Sequence, residues 1–443
     1  MPPKDREVLA GKSILVISHD FPPIRSPQAL RALRFCEALT SAGAKVTVLT
    51  RTVPAGAGYS TESASAIESL RIERCSPGPF ESLVDAIANR RHPPAAPGIA
   101  PSAKAPVYPG PSRLNWKGRL IRELRRLMDQ VYFPDGRSAW CAPARAALRR
   151  KLAEGERFDL ALLMHEPAAS ARLWPDLETA RIPWAVDLAD PVLAPYTPWH
   201  WRARAKRLER ELVSRAIACS VTNPGTAQQL SSRHAVPLER FDILPQGFTA
   251  LESAKPPRDS GPLHLFYCGR FYPFRPATPL IEAVLDVDGV VLEVAGPELP
   301  ECLHRAAALH PERIRILGEL VHEDALRCQA RADVLVSVGN RGTEQTPGKA
   351  IEYFGACRPI LHLWQETPDA ISRLIEARRR GVSCAANRDA AARALEKLAN
   401  SKREGRLDAD FDLGLEAVED HAWASIGQRL AAMLARTAPA SKT

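Results

Sequence analysis

The chain has 443 residues, 25% charged and 45% hydrophobic, which fits a globular enzyme with two cores and excludes a disordered, collagen-like or coiled-coil chain. No apolar run nears the roughly 18 residues that would span a bilayer, and the opening MPPKDREVLAGK lacks the apolar core of a secretory signal, so a cytoplasmic protein is expected. A net charge of +9, from 60 basic and 51 acidic residues, predicts attraction to phosphate in a nucleotide, a nucleic acid or an anionic lipid surface without choosing among them.

Taken in chain order, Ser13-Ile14-Leu15-Val16-Ile17-Ser18 reads as a strand buried on both faces of a parallel sheet. A polar loop follows from His19 to Pro27. Ala29, Leu30, Leu33, Phe35, Ala38 and Leu39 then fall near helical spacing, Gly43 stops the helix, and Lys45–Thr50 is the next strand. This βαβ unit predicts a doubly wound α/β sheet. Residues 92–112 interrupt the rhythm with Pro, Ala and Gly and are expected to form a mobile inserted loop. Residues 159–164 and 184–187 resume the strands.

A second series starts at Leu263–Arg270 and continues with a helix near 279–285 and strands at 290–296, 313–318, 333–338 and 359–363. Two Rossmann-like domains facing a cleft are expected, 1–250 and 251–415, with 416–443 a terminal helix crossing back to the first domain, then a tail. Ligands of such sheets sit beyond the carboxyl ends of the strands.

Nine cysteines are scattered without CxxC spacing, so neither a disulfide framework nor a zinc site is indicated. Asp286-Val287-Asp288 is a DxD, but it precedes a strand and reads as a turn. No metal dependence and no cofactor are expected. GxxxxGK[ST], HExxH, GxSxG and GxGxxG are all missing from the sequence.

The segment SVGNRGTEQTPGKAIEYFGACRPILHL (337–363) carries the most chemistry. A strand should end near Val338. Thr346-Pro347 predicts an N-cap and first-turn proline for a helix running to about Phe354. The N–H groups of Gly348 and Lys349 would then face an anion, a phosphate being the expected one. Glu344 and Glu352 are separated by seven residues, and either carboxylate could accept from adjacent sugar hydroxyls or pair on the surface.

TPGKAIEYFGACRPIL together with ILVISHDFPP…RALRFCEALTSAGAKVTVLT and the aspartate-proline strand end at 182–191 resembles the retaining glycosyltransferases of GT-B fold called group 1 or family 4. That resemblance implies transfer of a sugar from a nucleotide-diphosphate donor to a glycan or lipid-linked acceptor, with no nucleic-acid partner. It implies that Glu352 holds the donor ribose, that Glu344 faces the donor sugar beside the 342–346 loop, and that Arg270 neutralises the diphosphate. Arg275 is the nearest second cation, where the family has a lysine. His165, in His165-Glu166-Pro167, would position the donor sugar by hydrogen bonding.

Asp187 and Asp190 read as an acceptor-side base or as loop-capping carboxylates. Where the family has a glycine pair, this chain has Ser26 and Pro27, and Pro27 donates no N–H. Ser26 is the small residue expected on the acceptor side. The stretch 113–128 is basic and amphipathic, suited either to an anionic membrane face, which would make the protein peripheral on the inner membrane, or to packing on its own domain. Residues 201–216 read as a solvated helix. Two alternative functions fit the same fold, a nucleotide-sugar epimerase and a non-catalytic interaction protein.

Overall fold

The computed structural model describes residues 8–24, 26–53, 67–79, 81–82, 128, 130–194, 197–251, 261–341 and 346–437. The expected loop at 92–112, the amphipathic stretch up to residue 127, and Glu344 lie outside the described residues.

The chain forms two compact units, the first including everything described up to Pro245 together with Ala424 onward, the second running from Gln246 to Trp423. The first unit holds a seven-stranded parallel sheet of order β3-β2-β1-β4-β5-β6-β7. Its strands are β1 (Ser13–Ile17), β2 (Lys45–Arg51), β3 (Arg71–Cys75), β4 (Leu160–Met164), β5 (Trp184–Leu188), β6 (Cys219–Val221) and β7 (Phe241–Ile243). The central strands β4 and β5 are buried along their whole length. Helices cover both faces of such a sheet, so nearly continuous apolar runs are what the position requires.

Helix α1 (Pro27–Ser41) follows β1. Ser26 is its N-cap, accepting from the Ala29 N–H at 3.1 Å, which contributes about 1 kcal/mol. Pro27 occupies the first helical position, where no N–H is needed. Further helices of this unit among the described residues are α2 (Cys141–Ala153), α3 (Trp174–Thr179), α4 (Arg202–Arg215) and α5 (Pro224–His234). A terminal helix, Trp423–Thr437, contributes all but its first residue to this unit. There Gly427 approaches α1 so closely that an added Cβ would sit 2.4 Å from the Ala38 Cβ.

The second unit holds a six-stranded parallel sheet of order β10-β9-β8-β11-β12-β13. The strands are β8 (Leu263–Cys268), β9 (Val290–Ala295), β10 (Ile314–Gly318), β11 (Val334–Val338), β12 (Ile360–Trp364) and β13 (Gly381–Ala385). Helices α6 (Thr278–Asp286), α7 (Glu301–Leu309), α8 (His322–Arg331), α9 (Gly348–Glu352), α10 (Ala370–Ala377) and α11 (Arg388–Arg403) alternate with them. Gln246–Leu251 belongs with this unit because Phe248 packs among Phe354 and Tyr353. Its N–H also bonds the His421 carbonyl, and the Leu251 N–H bonds that of Gly355. The two parallel sheets with their covering helices form a two-domain α/β fold of the GT-B class.

In each sheet the strand order reverses once, between β1 and β4 in the first and between β8 and β11 in the second. A crevice opens at the carboxyl ends of such a strand pair because the crossovers leave in opposite directions. Among the described helices none is long and apolar enough to cross a membrane.

Candidate active site

The reversal point of the second sheet gathers most of the residues singled out for the donor. Arg270 follows β8 after one glycine, and its guanidinium is exposed, engaging no carboxylate among the described residues. The turn that carries it is held by contacts on both sides. The Tyr267 hydroxyl donates to the Arg270 carbonyl at 2.9 Å. Gly269 donates its N–H to Ala295, and Gly296 lies so close that an added Cβ would be 2.1 Å from the Gly269 oxygen.

Arg275 donates Nε and Nη2 to the Asn340 side-chain oxygen at 2.9 and 2.6 Å. It thereby ties the loop after β8 to the loop after β11. The Cys268 N–H also donates to the Tyr353 hydroxyl at 3.1 Å, fixing the end of β8 against the turn that follows α9.

Helix α9 begins one residue later than the sequence suggests. Pro347 is the N-cap, without a side-chain cap bond, Gly348 is the first helical residue, and after Glu352 the backbone tightens to a 3-10 turn over Tyr353–Ala356. Thr346 therefore precedes the cap. The chain tightens because Gly355 must pass the Thr249 carbonyl, 2.2 Å from where its Cβ would be. Such a short helix offers little dipole, and the site's positive charge comes from side chains.

Lys349 Nζ lies 2.8 Å from both oxygens of Glu352, and Gln329 Nε2 donates to one of them at 2.9 Å. Burial disfavours charge on Glu352, but the Lys349 ammonium and the Gln329 amide outweigh it and hold the carboxyl below its usual range. Burial disfavours charge on Lys349 as well; Glu352 outweighs it and raises the ammonium pKa. Arg270, Arg275, Lys349 and Glu352 are thus brought to the ends of two adjacent strands. Glu344 lies outside the described residues.

The reversal point of the first sheet holds a second polar cluster. His165 follows β4 and is buried, with Nδ1 making no hydrogen bond among the described residues. Burial lowers its pKa to about 4, so the ring is neutral at pH 7. Glu166 beside it is raised, first by burial and then by the neighbouring Asp190 carboxylate. Asp187 lies in β5 with both oxygens taken, by Arg31 Nε and Nη2 at 2.7 and 2.8 Å and by the Ser220 hydroxyl at 2.7 Å. Asp187 is thereby buried and bound to α1 and β6. Ser26 spends its hydroxyl on the α1 cap and on Asp20 Oδ2, at 3.2 Å.

Sequence reasoning passed over His19, Asp20 and Glu81. His19 Nδ1 lies 2.8 Å from Asp20 Oδ1, and Nε2 lies 3.3 Å from Glu81 Oε2. Burial disfavours the imidazolium, but the two carboxylates outweigh it and raise the His19 pKa. Asp20 falls to about 2: burial opposes its charge, and the bonded imidazole prevails. The signal was visible, since His19-Asp20 directly follows the first strand. In the DxD, Asp286 ends α6 and is gripped by Arg388, which accounts for it as a helix-end ion pair. No group of three or more metal-ligating side chains occurs among the described residues.

No family model matches the sequence, and no curated protein matches it. Solved structures do share its fold. TarM superposes with a TM-score of 0.58 at 10% identity, covering 95% of this chain and 98% of that one. The Arabidopsis thaliana protein UGT89C1, solved with UDP-L-rhamnose, gives 0.53 at 14% identity over 95% and 98%. S. aureus MnaA, solved with UDP, gives 0.51 at 12% identity over 95% and 94%.

Proposed function

We propose that the protein is a retaining glycosyltransferase that moves a sugar from a nucleotide-diphosphate donor to a glycan or lipid-linked acceptor without a metal. The observation that carries this reading is the ionised, half-buried Glu352 carboxylate at the reversal point of the second sheet, within a sequence run that resembles the group 1 signature. The ribose of the donor would lie on Glu352, and Arg270 and Arg275 would face the diphosphate. MnaA, solved with UDP, and UGT89C1, solved with UDP-L-rhamnose, favour the same ligand class.

In the reaction the bond from the anomeric carbon to the diphosphate oxygen breaks as the bond to the acceptor oxygen forms, and the acceptor proton passes to the departing phosphate. Fixed cations at the departing diphosphate lower the barrier because its charge grows in the transition state. Neutral His165 would accept from or donate to a sugar hydroxyl. Asp190 and Ser26 fall on the acceptor side of this scheme.

The assignment is tested by thermal stabilisation with a panel of nucleotide-sugars, since a ligand that binds only the folded state raises its apparent stability. Titration calorimetry of Glu352→Ala follows. Loss of affinity is expected; unchanged affinity removes the site assignment.

We also infer contact with an anionic membrane face. Trp199 is 85% exposed, beside exposed Val131 and Tyr132. His200 Nε2 lies 2.8 Å from the Gln130 carbonyl, which holds the two segments together. Helix α4 continues from there with exposed Arg202, Arg204, Lys206, Arg207 and Arg210, while Glu209 is buried and bonded to Arg233 and His234. An exposed aromatic beside basic side chains that meet no carboxylate among the described residues suits the lipid interface. Sedimentation with phosphatidylglycerol vesicles, lost in Trp199→Ser with Arg207→Glu, is the expected result.

A further inference from the structure

Gln329, on α8, is wholly buried and yet polar. Its Nε2 donates to Glu352 Oε1 at 2.9 Å, while its own Oε1 has no hydrogen-bond partner among the described residues. The orientation is settled by charge: turned about, the amide would set its oxygen against a carboxylate oxygen at that distance. A buried acceptor left unsatisfied costs stability that an apolar side chain of the same size would not. Something other than packing therefore accounts for an amide at this position.

Glu352 offers about four acceptor sites. Lys349 takes two of them and Gln329 a third. A vicinal diol brings two donors, so one existing partner must give way. Lys349 is the one that can, with a flexible stem and a side chain 36% exposed. Gln329 is wholly buried on α8.

We propose that Gln329 is a positioning residue of the nucleotide site, fixing the Glu352 carboxylate toward the ribose hydroxyls as Lys349 releases it. This rests on the reading that Glu352 holds the ribose. It adds a residue on a different helix that the motif does not contain.

The test is calorimetric titration of the full-length protein with UDP, GDP and ADP and with the 2′,3′-dideoxy form of each. The variants are Gln329→Leu and, should that melt without cooperativity, Gln329→Asn, which withdraws the amide by one methylene. The expected result is a loss of about tenfold in affinity for the ribonucleotide that binds, the scale of one hydrogen bond to a charged group. Affinity for the dideoxy form should be unchanged. Equal losses for both forms, or no loss for either, overturn the proposal. If the wild type already binds both forms equally, or binds none of the nucleotides, the ribose reading of Glu352 fails and this inference with it. If the wild type discriminates and Gln329→Leu discriminates to the same extent, Gln329 alone is excluded.

Discussion

Arg31 and Asp187, 156 positions apart, form a two-pronged ion pair inside the first unit, and the same guanidinium also donates to the carbonyls of Leu244 and Pro245. One side chain thus joins α1, β5 and the segment where the first unit ends. Arg31→Ala leaves a buried carboxylate without its counter-charge, which should cost about 3–5 kcal/mol. Urea denaturation should show the loss as a lower midpoint. Arg31→Met with Asp187→Leu should recover part of it, because the uncompensated charge is gone.

Arg270 is exposed and bears on no carboxylate among the described residues, so Arg270→Ala should leave the melting temperature unchanged. If the guanidinium faces the diphosphate, release of nucleoside diphosphate from a bound donor should slow by about 100-fold or more. Arg270→Lys should restore only part, since an ammonium lacks the fork that grips two oxygens. Wild-type turnover in Arg270→Ala would remove it from the site.

His165 sets a pH dependence of known sign. Its folded pKa of about 4 lies below the usual 6.5, so between those values the unfolded chain binds the extra proton and stability falls as pH falls. The full difference is about 3 kcal/mol. His19 acts in the opposite sense: its raised pKa contributes stability below pH 6.5 that is lost as pH rises through the folded value. His165→Asn should therefore flatten the decline in melting temperature between pH 6.5 and 4.5, measured by scanning calorimetry.

Gly296→Ala should be destabilising by about 1–3 kcal/mol, because its Cβ meets the Gly269 oxygen at 2.1 Å and the backbone must shift. That shift moves the turn carrying Arg270. A drop in nucleotide affinity larger than the same loss of stability produces elsewhere, as in Leu398→Ala, would confirm that the turn is part of the site.

The strands flanking the two reversal points were legible because each is an apolar run between turn residues, as in 160–164 and 334–338. Those missed are short or half-exposed. β6 has three residues, β3 alternates charged and apolar residues, and β13 is only partly buried throughout. An outer strand needs no continuous apolar run. The Lys349–Glu352 helix was read from its motif, but its cap was placed one residue early, since Thr346 looked the better capping side chain. The partners that tune those residues were not legible. Gln329 looks like any helical glutamine, and Glu81 meets His19 only through folding. Arg31 alone left a trace, a charge within the apolar stripe of α1.

The approach of Gly427 to Ala38 sets an order of events during synthesis. The first unit starts upstream of the second, yet α1 is met at Ala38 by a helix that is translated after the second unit. Until then the patch around Ala38 lacks its cover, while the second unit, contiguous in sequence, can close on its own. A nascent chain stalled before residue 424 should accordingly protect residues 263–400 from protease more fully than residues 27–41.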